Sequence, residues 1–263
     1  MKRLLAPVVG LALALAVSCG GKSMPEASLT LTADLSQLPA GTDAASAVQE
    51  TVEILLDRAN RYGVKGPQIT ADGDTISVAL KGITGDSAGE LMTRTGILDF
   101  KREKIAANGL VVCKTLQGEE FGVPPRNVNP DPTSGSLARC FASDKLGEPE
   151  WVDAEVVDGT GAATRLGVSH VEHGSWSLTD GDTSLSVRFT PRGSDILKRV
   201  TGPLAGYHLG IFLDGRLIAA PRIQRAITDG SPIISGFQPE TARILAAVLN
   251  TNPLPVPLAP ARQ

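Results

Sequence analysis

Histidine is the side chain of this sequence best suited to metal chemistry, and the chain has 3 of them. His170 and His173 flank Glu172 in the stretch Ser-His-Val-Glu-His-Gly-Ser, which brings imidazole and carboxylate donors close together. A zinc site needs three or four ligands that converge on the ion. The third histidine, His208, belongs to a different predicted strand. We therefore interpret the pair as exposed strand-end side chains and expect no bound metal.

Acidic side chains gather at two Asp-Gly turns, Ala71-Asp-Gly-Asp74 and Asp180-Gly-Asp182. A calcium loop alternates its oxygen ligands and ends in a glutamate, and neither turn has that pattern, so both are predicted to be hairpin turns. Gly159-Thr-Gly161 does not stand between a strand and a helix start, which makes it a poor phosphate-binding loop. No nucleophile elbow, paired carboxylate motif or triad order is found. The sequence therefore predicts neither an enzyme nor a cofactor site.

The first 18 residues have the pattern of an export signal. Lys2 and Arg3 precede an uncharged apolar stretch at 4–17, which is short for a membrane span of roughly 20 residues and typical of a signal peptide. Small residues stand before Cys19, as in bacterial lipoproteins, whose cysteine is lipidated and becomes the first mature residue. We predict a signal peptide over 1–18 and a lipidated tether over 19–27. An ordinary cleaved signal with a chance cysteine is the alternative.

This N-terminus predicts a location in the cell envelope, on the extracytoplasmic side of a bacterial membrane, with lipid chains as the attachment. If Cys19 carries lipid, Cys113 and Cys140 remain as an even pair in an oxidising compartment. The segment between them is rich in proline, glycine and asparagine and has little periodicity. We predict a disulfide between these two cysteines within an irregular loop over 105–150. Two separate buried thiols are the alternative.

The charge of the chain argues against one class of partner. The formal net charge is −3 and aromatic residues make up 4% of the sequence. Binding to nucleic acid needs clustered lysine and arginine, usually with stacking aromatic side chains. No basic stripe of that kind is present, so no nucleic-acid partner is expected.

The positions of the predicted elements define two modules. In the first, residues 28–104, a helix ends at Gly63, and the elements follow the order β-α-β-β-α-β of a ferredoxin-like fold. In the second, residues 151–250, Thr190 and Pro191 begin a helix, and Asp214-Gly215 joins two apolar strands in a hairpin. The prolines of 251–263 predict an extended C-terminus. The expected class is α+β: a ferredoxin-like base and a second α+β head module with antiparallel hairpins.

Several of these stretches together resemble the large first periplasmic domain of SecD, a subunit of the Sec protein translocase. In the base, Arg58-Ala-Asn-Arg-Tyr-Gly-Val64 and Gly96-Ile-Leu-Asp-Phe100 match the family in order and spacing. In the head, Gly210-Ile-Phe-Leu-Asp-Gly-Arg-Leu-Ile-Ala-Ala-Pro221 resembles its apolar hairpin, although Ala219 stands where the family often has serine. Leu254-Pro-Val-Pro-Leu258 completes the resemblance, which covers nearly all of the predicted mature chain outside residues 104–149.

The resemblance implies a role outside the cytoplasmic membrane. It predicts the periplasmic base and head of SecD carried on a lipid, without the family's transmembrane helices. Because the SecD head is implicated in holding emerging preprotein, apolar side chains of the head are expected to contact polypeptide. The candidates are Ile218, Pro221, Ile223 and Phe237.

Two hypotheses about function follow from the sequence. The first is a lipid-anchored accessory of protein translocation that binds exported or unfolded polypeptide, with or without contact to the Sec translocase. The second is a structural or assembly lipoprotein that docks a folded envelope partner. An exposed apolar groove favours the first hypothesis, and a broad flat patch with a polar rim favours the second.

Overall fold

The computed structural model describes residues 26–129, 138–235 and 237–261. The predicted signal peptide, Cys19 and most of the tether lie outside the described residues, as do 130–137 of the cysteine segment. Within the described ranges the α-helices are α1 Ala44–Tyr62, α2 Gly85–Thr93, α3 Pro191–Thr201 and α4 Pro239–Leu249. The strands are β1 Glu26–Ala33, β2 Gln68–Asp72, β3 Thr75–Lys81, β4 Leu98–Glu103, β5 Val111–Lys114, β6 Glu120–Val123, β7 Val128–Asn129, β8 Arg139–Phe141, β9 Leu146–Pro149, β10 Trp151–Asp153, β11 Glu155–Val157, β12 Ala163–Arg165, β13 Val171–Thr179, β14 Asp182–Phe189, β15 Leu209–Leu213, β16 Arg216–Ala219, β17 Ile233–Ser235 and β18 Leu258–Pro260.

Every pairing between these strands is antiparallel, which confirms the α+β class with antiparallel sheets. In the ranges that the structure describes, the helices are too short or too polar to cross a lipid bilayer.

Strands β18-β1-β3-β2, in that order, form what we call the base sheet. Helix α1 covers it with a buried apolar face. The helix begins after Asp43, whose carboxylate accepts a hydrogen bond from the backbone N–H of Ser46 at 2.8 Å. It ends at Gly63, whose φ of 100° is the left-handed conformation that glycine adopts freely at a helix C-terminus. These local signals fix the length of α1 and therefore the face that it turns to the sheet.

The base differs from the prediction in its fourth strand. The order β-α-β-β-α-β is present, but β4 leaves the base sheet and pairs with β10 and β15. Its place beside β1 is taken by β18, with Thr32 opposite Ala259. The ferredoxin-like base is therefore not the continuous segment 28–104, because the C-terminal segment supplies its edge strand. Alternating apolar side chains in β4 suit any sheet with one buried face, so the sequence pattern does not select the partner strand.

Two further sheets build the head. Strands β10-β4-β15-β16 form the central sheet, and β13-β14-β17 form the head sheet. Helix α4 packs on the head sheet on one side and on α1 and α2 on the other. Because of this packing, the apolar side chains of the base, central and head sheets join in one continuous core.

The segment 105–150 was predicted to be irregular, and this prediction is wrong. Its described residues contain a five-stranded sheet in the order β6-β5-β9-β8-β7, which we call the disulfide sheet. In the structure a disulfide joins Cys113 of β5 to Cys140 of β8, with their Cα atoms 6.3 Å apart. The strands are only 2 to 4 residues long. Such short strands carry too few alternations for a periodic pattern to be visible in the sequence.

Candidate functional site

Strand β15, the first strand of the hairpin with β16, supplies part of one wall of a deep concave surface. Asp214 and Gly215 form the turn of this hairpin with φ values of 51° and 75°, the left-handed pair that a two-residue hairpin requires. Every residue of β15 is buried. Leu209 and Ile211 line a cavity on one side of the sheet, whereas on the other side Phe212 packs edge-on against Trp151 with ring centroids 5.7 Å apart.

This cavity, which we call the cleft, lies between the central sheet, the head sheet and α3, beneath the segment 221–232. Its volume is about 740 Å³, which is within the usual range of ligand pockets. At its floor Phe100 of β4 meets Phe189 of β14, with ring centroids 5.4 Å apart. The aliphatic and proline side chains of the lining are Val187, Leu197, Leu209, Ile211, Pro221, Ile223, Ala226, Ile227, Pro232, Ile233 and Ile234.

The segment 221–232 closes the cleft with few regular hydrogen bonds. The N–H of Ile223 donates to the carbonyl of Tyr207 at 2.8 Å. The N–H of Ile227 donates to the hydroxyl of Thr201 at 2.9 Å, and this hydroxyl donates in turn to the carbonyl of Leu197 at 2.7 Å. Further along, the carbonyl of Gly230 accepts from the N–H of Phe189 at 2.9 Å. The segment is therefore held at separate points along its length and not by a continuous ladder.

The mouth of the cleft is polar. Arg222, Arg225 and Asp229 lie on it and are exposed. The guanidinium of Arg222 donates to the carbonyl of Gly206 at 3.0 Å, which ties this side chain to the turn before β15. An apolar floor with a polar mouth suits a ligand that buries hydrocarbon side chains and keeps its backbone near water.

Two of the four residues predicted to contact polypeptide line the cleft. Pro221 is half-buried and Ile223 is buried in its wall. Ile218 and Phe237 are half-buried against the main core, outside the cleft lining. Ile233 was not among the predicted residues, although it lines the cleft and is 68% exposed.

Phe100 and Phe189 were also missed as part of this site. Each is an apolar strand residue of a different predicted module, and no local signal connects the two. The signal that was available is the isoleucine-rich stretch after Pro221, in which Ile223 and Ile227 recur among polar side chains. That stretch indicates the segment that covers the cleft, but it does not predict which strands form the floor of the cleft.

The second notable site is polar and lies where the base meets the head. The carboxylate of Asp214 accepts hydrogen bonds from the backbone N–H groups of Gly96 and Ile97, both at 2.9 Å. In return the N–H of Asp214 donates to the carbonyl of Ile97 at 2.8 Å. The turn of the head hairpin is thus fastened to the link between α2 and β4.

Arg58 of α1 lies buried beside the same link. Its guanidinium donates to the backbone carbonyls of Arg94 and Thr95 and to the hydroxyl of Thr251. Burial lowers the pKa of Arg58 to about 10, and the attraction of the Asp214 carboxylate opposes this shift. A buried cation is tolerated when its donors are satisfied. We call Arg58, Asp214 and the backbone groups that they bind the junction.

The histidines do not converge on one site. His208 is buried immediately before β15, where its Nδ1 lies 3.0 Å from Oε1 of Glu103 and its backbone N–H donates to Oε2 at 2.9 Å. His170 and His173 lie at the start of the head sheet instead, and His173 is exposed. Across the ranges 26–129, 138–235 and 237–261, no three His, Cys, Asp or Glu side chains gather in a way that could hold a metal ion.

Most of the cleft lining lies in a region that matches a known family. Residues 164–256 match the family described as the P1 head subdomain of SecDF. The protein translocase subunit SecD of Elusimicrobium minutum is 31% identical over 247 aligned positions, and the match covers 88% of this chain and 49% of the relative. SecDF of Thermus thermophilus is 32% identical over 210 residues, 78% of this chain and 26% of the relative. The chain therefore spans about half or less of the length of these relatives.

Solved structures of SecDF share the fold of this chain. A crystal structure of SecDF in a super-membrane-facing form aligns with 89% of this chain and 29% of its own, at a TM-score of 0.57 and 26% identity. A second structure, of SecDF described as a membrane component that enhances protein export, aligns with 90% of this chain and 98% of its own. Its TM-score is 0.53 at 23% identity, so it supports the fold alone.

Proposed function

The chain is a SecD-like domain, and from this premise we propose that it assists protein export by holding extended segments of exported polypeptide in the cleft. The observation that carries the proposal is the position of the cleft. Most of its lining lies within 164–256, the region that matches the SecDF head. The relatives from Elusimicrobium minutum and Thermus thermophilus are named as protein translocase subunits, which supports a role in export for this chain as well.

The lining of the cleft suits a polypeptide without a fixed sequence. Isoleucine and phenylalanine side chains attract apolar groups without direction, so apolar residues of different shape gain similar free energy on burial. We propose that Pro221, Ile223, Ile227 and Ile233 contact the bound segment. Binding is expected in the micromolar range, about −8 kcal/mol or weaker, because an unfolded chain loses conformational entropy when it is held.

We further propose that the domain acts on the extracytoplasmic side of a membrane through a lipid on Cys19. This proposal rests on the sequence pattern before Cys19. The substitution Cys19→Ser is expected to release the protein from membranes, since a lipidated cysteine is the proposed attachment. The measurement is sedimentation of membranes after a high-salt wash. A variant that still pellets with membranes would contradict the proposal.

The test of polypeptide binding is a titration of the protein with unfolded peptides from exported proteins, followed by fluorescence anisotropy. Ile233→Asp places a charge at the exposed edge of the cleft and is expected to weaken binding by about tenfold or more. The matched control is Leu116→Asp, because Leu116 is 91% exposed, lies between β5 and β6 and is not part of the cleft lining.

Two results would contradict the proposal. One is failure of the protein to bind any unfolded peptide. The other is equal weakening by Ile233→Asp and Leu116→Asp, which would mean that the charge acts at a distance and not in the cleft. Binding of folded envelope proteins in place of unfolded peptides would favour the docking hypothesis.

A further inference from the structure

Strand β13 is an edge strand of the head sheet, and one position on its open edge is already occupied. Asn250, which follows α4, binds the backbone of Gly174 through its side-chain amide. It accepts from the N–H of Gly174 at 2.9 Å and donates to the carbonyl of Gly174 at 2.6 Å. An amide that satisfies both backbone groups of a strand residue stands where a neighbouring strand would stand.

The hairpin turn shows which other residues face the open edge. Asp180 and Gly181 form a two-residue turn with φ values of 52° and 86°, so Thr179 and Asp182 are a hydrogen-bonded pair. Ser175 and Ser177, like Thr179, therefore exchange backbone hydrogen bonds with β14. The residues between them direct their N–H and C=O groups away from β14, towards the open edge. Outward-facing residues are thus Gly174, Trp176 and Leu178. Asn250 occupies the first of these and leaves the backbone groups of Trp176 and Leu178 free in the part of the chain that the structure describes.

The side chains at this free edge are apolar and accessible. Trp176 is 39% exposed and Leu178 is 53% exposed. They stand opposite Leu185 and Thr183 of β14, which are both buried, so they extend the core-facing side of the sheet. An added strand would place every second side chain beside them on that side, since side chains alternate between the two faces.

The charges at the two ends of the free edge favour a foreign segment with basic ends over a second copy of β13. No charged residue lies between His173 and Asp180, whereas Glu172 stands at one end of the edge and Asp180 with Asp182 at the other. Pairing with a second copy of β13 centred on Trp176 would set Glu172 opposite Asp180 of that copy, a like-charge contact that opposes association. It would also set Gly174, already bound by Asn250, opposite Leu178. A foreign segment with basic ends avoids both conflicts.

We propose that the free edge of β13 at Trp176 and Leu178 binds a short extended polypeptide by strand addition, with apolar side chains at alternate positions and lysine or arginine at its ends. This inference rests on the proposed function, since it gives the held polypeptide a second contact outside the cleft. It adds a requirement that the cleft does not impose, because strand addition needs free backbone N–H and C=O groups on the bound segment.

The test uses Trp176 as a local reporter. The chain has 2 tryptophans, so Trp151→Phe leaves Trp176 as the source of indole emission. The probe is a fluorescein-labelled synthetic peptide of alternating valine and threonine with two lysines at each end. Its anisotropy reports total binding and the emission of Trp176 reports binding at the edge. Two matched peptides serve as controls. One carries N-methyl groups on alternate amides, and the other has glutamate in place of each lysine.

We expect the unmodified peptide to shift the emission of Trp176, and both matched peptides to bind this edge about tenfold more weakly. Leu178→Pro removes an outward N–H without removing a bond to β14, and it should abolish the shift. Ile233→Asp, at the cleft, should leave the shift in place. If Leu178→Pro does not fold, the N-methylated peptide tests the same bond on the parent protein.

Unchanged emission of Trp176 together with anisotropy that Ile233→Asp abolishes would overturn the inference and leave the cleft as the polypeptide site. A shift that persists in Ile233→Asp while anisotropy is also unaffected would support the edge and contradict the cleft. Dimerisation without peptide, measured by sedimentation and abolished by Leu178→Pro, would overturn the inference in favour of self-pairing. Absence of any anisotropy change would overturn both proposals.

Discussion

The cleft and the junction both depend on the hairpin of β15 and β16, and they use it in opposite ways. At the cleft, Leu209 and Ile211 present hydrocarbon to an open space beneath a segment held at a few points. At the junction, the turn residue Asp214 and the buried Arg58 meet backbone groups at hydrogen-bond distance. Apolar contacts are non-directional, and buried polar groups demand partners in fixed places. The first region therefore suits variable ligands, whereas the second holds one arrangement.

The strongest test of this contrast is removal of the arginine at the junction. Arg58→Ala removes the donor to the carbonyl of Arg94 and one of the two donors to the carbonyl of Thr95, which also accepts from the N–H of Leu254. It also opens a void, so the free energy of unfolding should fall by about 3 kcal/mol or more. Chemical denaturation measures this loss. The matched control is Arg61→Ala, one turn along α1, where an exposed arginine pairs with Asp57 and removal should cost at most about 0.5 kcal/mol. Similar losses in the two variants would mean that the buried hydrogen bonds of Arg58 contribute no more to stability than an exposed ion pair does.

The disulfide offers a test from a region that belongs to neither site. Replacing Cys113 and Cys140 by serine should lower the free energy of unfolding by about 3 kcal/mol, through the freedom gained by the unfolded loop. Because these cysteines lie in a separate small core, peptide binding at the cleft should be unchanged. Alkylation of the native exported protein before and after reduction measures the pairing, and free thiols before reduction would contradict it.

The acceptor at the junction should matter less than the buried donor. Asp214→Ala removes the acceptor for the N–H groups of Gly96 and Ile97 and places alanine at a positive φ, so a loss of about 2 kcal/mol is expected. Asp214→Asn keeps an oxygen and a residue that tolerates the left-handed conformation, and it is the matched control. Thermal and chemical unfolding of both variants measure the difference. Equal stability of the two would show that the carboxylate does not fasten the turn.

The smallest effect is expected at the cover of the cleft. Thr201→Val removes the hydroxyl that accepts from the N–H of Ile227, which should cost about 1 kcal/mol. Hydrogen exchange at the Ile227 amide should accelerate by more than the change in global stability explains, because few other bonds hold the segment 221–232. Exchange at Ile223, which bonds to Tyr207 instead, is the internal control. Equal acceleration of exchange at both amides would mean that the segment 221–232 opens as one unit and is not held at separate points.

Local features of this protein could be predicted from the sequence because their causes lie within a few residues. Gly63 ends α1 and Thr190 caps α3 as the side-chain and backbone rules require. Asp214-Gly215 forms its hairpin turn for the same reason. In each case the residue type restricts its own backbone or binds a group nearby, so neighbours in the chain contain the information.

Strand partners and the cleft, in contrast, depend on contacts between segments that are far apart in the sequence. The alternation in β4 predicts a strand with one buried face, but the pairing with β15 joins Phe100 to Ile211 across more than a hundred positions of sequence. The cleft likewise needs Phe100, Phe189 and Ile233 together, and each of these is an ordinary apolar residue in its own segment. Outside 105–150, sequence patterns indicate where most strands, helices and turns form and which family they resemble, whereas the short strands of the disulfide sheet could not be recognised. Which apolar faces meet depends on the packing of the whole chain, since burial is non-directional and many pairings satisfy the same local pattern.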